Sequence, residues 1–127
     1  MGFEVFDLEA MPWELPLRRK HHGTNPELLR QKYPVHEKWL LPPTDGRMVA
    51  SIIRFGPNMT YPRHMHTQPE LTIFLRGSGV FDGHEVGPGF AAYVDANTVY
   101  GPEAAGPDGC EFLIVRPRLS ESIIVDE

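Results

Sequence analysis

The sequence predicts an all-β domain of closed or sandwiched antiparallel strands, preceded by an irregular arm with one short helix. Three observations favour this fold class. The 127 residues can bury one hydrophobic core but not two. From Arg47 onwards, short segments that alternate with a period of two are bounded by Gly, Pro or Asp. No helical pattern separates these segments, so the crossover helices of a parallel sheet are not expected.

The composition is that of an ordinary globular protein, with 41% hydrophobic and 23% charged residues. The formal net charge is -5. Because nucleic-acid-binding proteins concentrate Lys and Arg to neutralise phosphates, no nucleic-acid partner is expected. The basic run at residues 18–22 is interpreted as a solvated loop.

Cys110 is the single cysteine, which excludes an intramolecular disulfide and favours a cytoplasmic location. The apolar runs fall short of the roughly 20 residues that span a bilayer. The first residues also lack the basic and apolar segments of a signal peptide. We therefore expect a protein that is not exported and has no membrane partner.

Residues 1–45 are predicted to form an arm in which proline repeatedly interrupts regular structure. One helix of about two turns fits within this arm. Asn25 can cap the helix, and Pro26 has the backbone angle that suits its first position. Leu28 and Leu29 then give the helix an apolar face.

Residues 46–127 are predicted to form the barrel core of this single domain. Apolar side chains on both faces of residues 48–53 indicate a strand that is buried on both sides. Asp82 and Gly83 tolerate the positive φ that a two-residue hairpin turn requires. Further strands are predicted at residues 70–76, 79–81, 84–86, 90–94 and 111–116.

The stretch with the strongest chemical signal holds His64, His66 and Glu70. Two residues apart on an extended strand, the two imidazoles project from the same face. After a short turn, Glu70 opens the next strand and can return to that face. Two imidazoles and one carboxylate suit a divalent ion such as iron, manganese, zinc or nickel. The alternative for the same pattern is a solvated polar face.

The strand that follows favours the metal interpretation. Leu71, Ile73 and Leu75 make one of its faces apolar, while Glu70, Thr72 and Phe74 share the other. A carboxylate that leads a row into a barrel interior is costly unless it has a partner. A metal ion supplies such a partner.

The pattern resembles the first motif of the cupin family, Gly-x5-His-x-His-x3-Glu-x6-Gly. His64, His66, Glu70 and Gly77 match it in register, and Asn58 stands where the first Gly is expected. Asn tolerates positive φ better than most residues, so this departure is mild. The resemblance extends over about residues 47–117. It implies the double-stranded β-helix, or jelly-roll barrel, of the family, with the metal bound by the two histidines and the glutamate.

The second cupin motif is matched only in outline. Gly89 gives its start, but Asp95, Asn97, Tyr100 and Ala104 stand for Pro, Gly, His and Asn. In the family, the position of Tyr100 is the third histidine ligand. Ionising a free phenol at pH 7 costs about 4 kcal/mol. We therefore interpret Tyr100 as a neutral residue that donates a hydrogen bond or a proton beside the metal, with a phenolate ligand as the alternative.

The other candidate residues carry weaker signals. Cys110 lacks a local base and is expected to be a small buried residue. His84 follows the hairpin turn and is expected on the barrel rim. Surface or packing roles are expected for the arm histidines, His21, His22 and His36. The arm aromatics are expected to pack the arm onto the barrel: Trp13, Tyr33 and Trp39.

The leading functional hypothesis is a metal-dependent enzyme that acts on a small oxygenated organic molecule, with dioxygenase as the expected reaction. Three protein ligands leave up to three open positions on an octahedral ion, enough for a substrate and dioxygen. Iron is the expected ion, with Tyr100 as the catalytic residue and Thr72 and Phe74 as pocket walls. The alternatives are a non-catalytic small-molecule-binding or sensory cupin, and a structural barrel without metal.

A homodimer is also expected. An apolar outer sheet face and a proline-rich arm expose more hydrophobic surface than a small monomer usually leaves uncovered. The arm, or a terminal strand at residues 122–125, is expected to pair with the neighbouring copy.

Overall fold

Antiparallel strands wrap around an aromatic core in the computed structural model, which describes residues 2–16, 25–44 and 46–125. Within these residues, one sheet has the strand order β1-β2-β8-β5-β6, with β3 paired to β8 and β7 paired to β5, and a second sheet consists of β4 and β9. The elements are α1 (Pro26–Lys32), β1 (His36–Leu41), β2 (Val49–Phe55), β3 (Thr60–Tyr61), β4 (His64–His66), β5 (Glu70–Phe81), β6 (His84–Val86), β7 (Ala91–Val94), β8 (Glu103–Arg116) and β9 (Ser122–Ile124). The basic run at residues 18–22, with His21 and His22, lies outside the described residues.

Helix α1 confirms the prediction for the arm. The side-chain oxygen of Asn25 accepts hydrogen bonds from the backbone N–H groups of Glu27 and Leu28, at 2.8 and 3.4 Å. Pro26 occupies the start of the helix. Leu29 is fully buried, whereas Leu28 is exposed. The helix therefore docks on the barrel through one leucine rather than two.

The arm also contributes a strand, which corrects the prediction that residues before 46 are irregular apart from one helix. Strand β1 pairs antiparallel with β2 from His36 opposite Arg54 to Leu41 opposite Ala50. Glu37 and Lys38 of β1 are both buried, at 3% and 7% exposure. Charged residues at buried positions erase the apolar alternation that identifies a strand, so the sequence pattern missed β1.

Strands β5 and β8 are longer than predicted. Residues 70–76 and 79–81 form one strand, β5, with register irregularities on either side of Gly77. The backbone of Gly77 packs against Gly109 of β8 so closely that a Cβ atom on Gly77 would overlap it. Gly77 is therefore not the end of a strand but the point where β5 and β8 approach each other closely.

Two backbone predictions are confirmed, and a third residue, Asn97, has the same conformation. Asp82 and Gly83 have φ of 51° and 79°, as a type I′ hairpin turn between β5 and β6 requires. Asn58, in place of the first motif glycine, has φ of 57°. Asn97 stands for a glycine of the second motif and has φ of 61°. Asparagine thus preserves the left-handed backbone at both motif glycines.

The barrel interior is aromatic. Ring centroids of Phe55, Phe74, Phe81 and Phe112 lie 5.2 to 5.9 Å apart, mostly in edge-to-face arrangements. Cys110 is buried in the same core, and its burial raises the pKa of the thiol to about 12. The thiol is therefore a packing group, as expected. No helix in the described ranges is long and apolar enough to cross a membrane.

The arm covers part of the sheet at β1 and β2, whereas the outer face of β5 is exposed. Trp13 of the arm lies over Lys38 and Arg54, with 4.5 and 4.0 Å from each cationic group to the ring centroid. On β5, by contrast, Leu71 and Ile73 are 42% and 37% exposed. The apolar outer face predicted from the sequence is thus present over β5.

The terminal strand pairs within its own chain. Strand β9 runs antiparallel to β4, with Ile124 opposite His64 and Ser122 opposite His66. Pairing of the arm or of residues 122–125 with a neighbouring copy stays a prediction, because β9 has a second edge in this two-stranded sheet. The pairing of β9 with β4 also places the last strand directly beside the candidate ligands.

Candidate functional site

A cavity of about 430 Å³ lies inside the barrel, and its walls bring together most of the residues that the sequence singled out. His64 and His66 reach it from β4, and Glu70 from the start of β5. Tyr100 lines the same cavity. Arg116, at the end of β8, completes this group of side chains.

Short backbone contacts position the two histidines. His64 and Tyr100 exchange two backbone hydrogen bonds of 3.0 Å, which hold their side chains side by side. The turn from β4 to β5 is fixed by the hydroxyl of Thr67, which accepts a hydrogen bond from the N–H of Glu121 at 2.9 Å. The backbone N–H of Gln68 donates to the hydroxyl of the neighbouring Ser120. The turn that brings Glu70 back to the histidines is therefore held by the segment before β9.

The ring of His64 is oriented from both sides. Its Nδ1 lies 2.9 Å from the carbonyl oxygen of Pro62, and its Nε2 lies 3.1 Å from the hydroxyl of Tyr100. A carbonyl can only accept, so Nδ1 carries the proton and Nε2 presents its lone pair to the cavity. A backbone carbonyl on the outer nitrogen is the arrangement that typically supports a metal-binding histidine.

Glu70 is buried, and within the described residues the side chains of Arg116 and Thr72 donate hydrogen bonds to its carboxylate. The guanidinium of Arg116 donates to Oε1 through Nε at 3.0 Å and Nη2 at 2.6 Å. The hydroxyl of Thr72 donates to Oε2 at 2.9 Å. The sequence argument required a metal to compensate this carboxylate. Since Arg116 compensates it as well, the burial of Glu70 alone does not demand an ion.

Tyr100 is surrounded by acidic groups. Burial raises the pKa of its phenol well above the usual value, and the negative charges of Glu70 and Glu103 raise it further. The phenol is therefore neutral in the arrangement seen. Its O–H donates to Nε2 of His64, the atom that would bind an ion. The phenol therefore lies next to the position proposed for the ion.

The donor types at the site suit a divalent ion, but their spacing is wider than a bound ion requires. His66 Nε2 lies 3.8 Å from Glu70 Oε1, whereas two ligands at right angles on bonds of about 2.1 Å are about 3 Å apart. In the described ranges, no three His, Cys, Asp or Glu side chains are gathered closely enough to hold an ion. The types of side chain therefore fit a divalent ion. Arg116, however, competes with that ion for the carboxylate of Glu70.

Two predicted pocket residues take other positions. Thr72 and Phe74 point into the barrel from β5, as the alternation predicted, but neither lines the cavity. Thr72 holds the Glu70 carboxylate instead, and the ring of Phe74 packs 5.2 Å from that of Phe81 in the core. The cavity lies beside the first residue of β5, and the aromatic core fills the space beyond it.

The remaining candidates are mostly peripheral. His84 is exposed on β6, and neither it nor His36 lines the cavity. The ring of Tyr33 contacts Tyr61 edge-on at 5.3 Å and, like Trp13, packs the arm onto the barrel. Trp39 differs, because it lines the cavity from β1.

Sequence reasoning missed Arg116 and the buried acids of the cavity. Glu37 and Glu103 line it at 3% and 6% exposure, and Glu37 accepts a hydrogen bond from the hydroxyl of Ser51. Arg116 continues the inward row of Phe112 and Ile114 on β8. An arginine at the end of a buried apolar row needs an acid partner, and this signal was present in the sequence.

Solved structures show which fold this is. A sugar phosphate isomerase of a cupin superfamily from Silicibacter pomeroyi DSS-3 superposes with a TM-score of 0.68 and 19% identity, over 98% of this chain and 83% of its own. The polyketide cyclase RemF of Streptomyces resistomycificus gives 0.69 and 22%, over 100% and 89%. An acetylacetone dioxygenase of Acinetobacter johnsonii gives 0.56 and 11%, over 67% and 60%. No family model matches the sequence.

The protein therefore has the cupin fold, the jelly-roll barrel that the His64, His66 and Glu70 motif implied. Dimethylsulfoniopropionate lyase DddW of Ruegeria pomeroyi is 41% identical to it over 69 residues, which are 51% of this chain and 45% of the lyase. The match thus spans less than half the length of that relative.

Proposed function

We propose that this cupin is a metal-dependent enzyme that acts on a small oxygenated organic molecule inside the barrel. His64, His66 and Glu70 hold one divalent ion, with iron as the leading choice and manganese, zinc or nickel as alternatives. The observation that carries this proposal is the convergence of three possible ligands and the phenol of Tyr100 on one cavity of about 430 Å³. This volume suits a small ligand.

The bound ion would supply Lewis acidity and open coordination positions for substrate. The side chains of the chain itself supply binding and proton handling. The carbonyl of Pro62 accepts from Nδ1 of His64 and so orients the other ring nitrogen, Nε2, toward Tyr100. The neutral phenol of Tyr100 donates a hydrogen bond into the same space and can pass its proton to a developing negative charge.

Two reaction classes are compatible with this arrangement. The open coordination positions of the ion favour a dioxygenase. An acetylacetone dioxygenase is among the solved structures with a similar fold, but at 11% identity this likeness shows the fold alone. A lyase is the second candidate, favoured by the 41% identical segment shared with DddW. For dimethylsulfoniopropionate, elimination would remove a proton next to the carboxylate and break the carbon–sulfur bond to give acrylate and dimethyl sulfide.

One experiment separates these classes. The protein, reconstituted with ferrous iron, manganese or zinc, is incubated with dimethylsulfoniopropionate and with acetylacetone, in air and without oxygen. Oxygen uptake that requires metal identifies a dioxygenase, whereas dimethyl sulfide released equally without oxygen identifies a lyase. Ligand-linked thermal stabilisation without turnover would support the non-catalytic binding alternative and contradict the enzyme proposal.

A further inference from the structure

Arg116 is a cation with spare hydrogen-bonding capacity at the candidate site. Its side chain is 14% exposed and lines the cavity. The guanidinium makes two hydrogen bonds, from Nε and Nη2, and both go to the single oxygen Oε1 of Glu70. Within the described ranges, its Nη1 group has no hydrogen-bond acceptor in the protein.

This arrangement leaves the guanidinium only partly satisfied. An arginine presents five N–H donors in a planar fork, and a buried donor without an acceptor costs free energy. The fork matches a carboxylate with two parallel hydrogen bonds, a geometry that lysine cannot reproduce. Both bonds to Glu70 instead converge on Oε1, while Oε2 accepts a hydrogen bond from the hydroxyl of Thr72.

We propose that Arg116 anchors a carboxylate group of the molecule that binds in the cavity. This inference rests on the proposed function, because it assumes that the cavity takes a small ligand beside the ion site. When Glu70 serves the ion, one positive charge on Arg116 is left for a new partner. A single carboxylate balances that charge and satisfies the fork. The substrate is then a small organic acid, oriented with its carboxylate at β8 and its reacting atoms near His64 and Tyr100.

Calorimetric titration of the metal-free protein with propionate tests this assignment, because without an ion the probe has no metal to ligate. Propionamide has nearly the same shape without the charge and serves as the matched ligand. In Glu70→Gln, where Arg116 has lost its charged partner as it does when Glu70 serves the ion, we expect propionate to bind at least about tenfold more tightly than propionamide. Arg116→Gln should remove about tenfold of the propionate affinity, whereas Glu70→Gln should increase the affinity by releasing the guanidinium.

Two further variants serve as controls. Arg76→Gln removes an exposed arginine that pairs with Glu9 at the surface and lies off the cavity, so propionate affinity should not change. Arg116→Lys keeps the charge without the fork and should bind propionate more weakly than the wild type, which gives a second reading if Arg116→Gln does not fold.

Equal propionate binding by the wild type and Arg116→Gln would overturn the assignment, as would a Glu70→Gln variant that does not discriminate propionate from propionamide. Elemental analysis of the metal-loaded wild type separates this outcome from failure of the proposed function. A protein that takes up no ion but still discriminates the two ligands through Arg116 would refute the metal-dependent enzyme and retain the carboxylate anchor.

Discussion

The phenol of Tyr100 donates a hydrogen bond of 3.1 Å to Nε2 of His64. Tyr100 stands where the family has a third histidine ligand. It therefore contacts His64, the first of the proposed ligands, directly. This contact is consistent with the alignment of the second motif at Tyr100, even though few residues of that motif are retained. The pair also places a neutral proton donor on the nitrogen that would bind an ion.

The first prediction concerns the ligands. Replacing His64 and His66 together with Ala removes two of the three proposed donors, so stoichiometric metal should disappear on elemental analysis. His84→Ala is the matched control, because this histidine is exposed on β6 and should not affect metal content. Unchanged metal in the double variant would refute the ligand assignment.

Tyr100→Phe separates a neutral phenol from a phenolate ligand. The raised pKa indicates a protonated phenol, so the ferric-loaded wild type should lack an intense phenolate-to-iron band in the visible spectrum. The Phe variant should retain metal but lose activity that depends on proton donation. A visible band in the wild type, lost in the Phe variant together with metal affinity, would identify Tyr100 as a ligand instead.

Arg116→Gln should tighten metal binding. The substitution removes a cation that repels the ion and a donor that competes for Glu70 Oε1. We expect a gain of about tenfold, or roughly 1.4 kcal/mol, in competition with a chromophoric chelator. Arg76→Gln should leave the affinity unchanged. Weaker binding by the Gln variant would mean that Arg116 supports the ligand geometry rather than opposing the ion.

The exposed apolar strip on β5 and β7 predicts self-association. Ile73 is 37% exposed and Tyr93 is 63% exposed, so light scattering at micromolar concentration should give a dimer rather than the 14.4 kDa monomer. Ile73→Lys should shift the protein to monomer. Leu28→Lys, on an exposed position of α1, should not. A monomeric wild type would contradict the homodimer.

Cys110 gives a pH-dependent prediction. Burial raises the pKa of the thiol from 9.0 to about 12 in the folded protein. Between these values the unfolded chain loses the proton while the folded chain keeps it, so rising pH favours unfolding. Iodoacetamide at pH 8 should label the unfolded chain in urea much faster than the native protein. Rapid labelling of the native protein would place the thiol at the surface.

Local chemistry made several features predictable. The cap at Asn25, the turn at Asp82 and the positive φ of Asn58 each depend on a side chain and its immediate neighbours, so the sequence alone indicated them. Strand β1 was missed because its buried residues include Glu37, whose compensation comes from Ser51 on another strand.

The site was only partly predictable for the same reason. The convergence of His64, His66 and Glu70 follows from spacing along one stretch of chain. The ion pair between Glu70 and Arg116 joins residues that are 46 positions apart, and no local pattern pairs them. The same holds for the wall of the cavity, to which Trp39 of β1 contributes and Phe74 of β5 does not.

Pairing of β9 with β4 also has a consequence for synthesis of the protein. The strand that carries His64 and His66 has only three residues, and its sheet partner is Ser122–Ile124. During translation, residues 64–66 leave the ribosome well before residues 122–124. The two imidazoles therefore cannot be held in their final positions until residues 122–124 have been synthesised and have left the ribosome, and metal loading in the cell should follow that step.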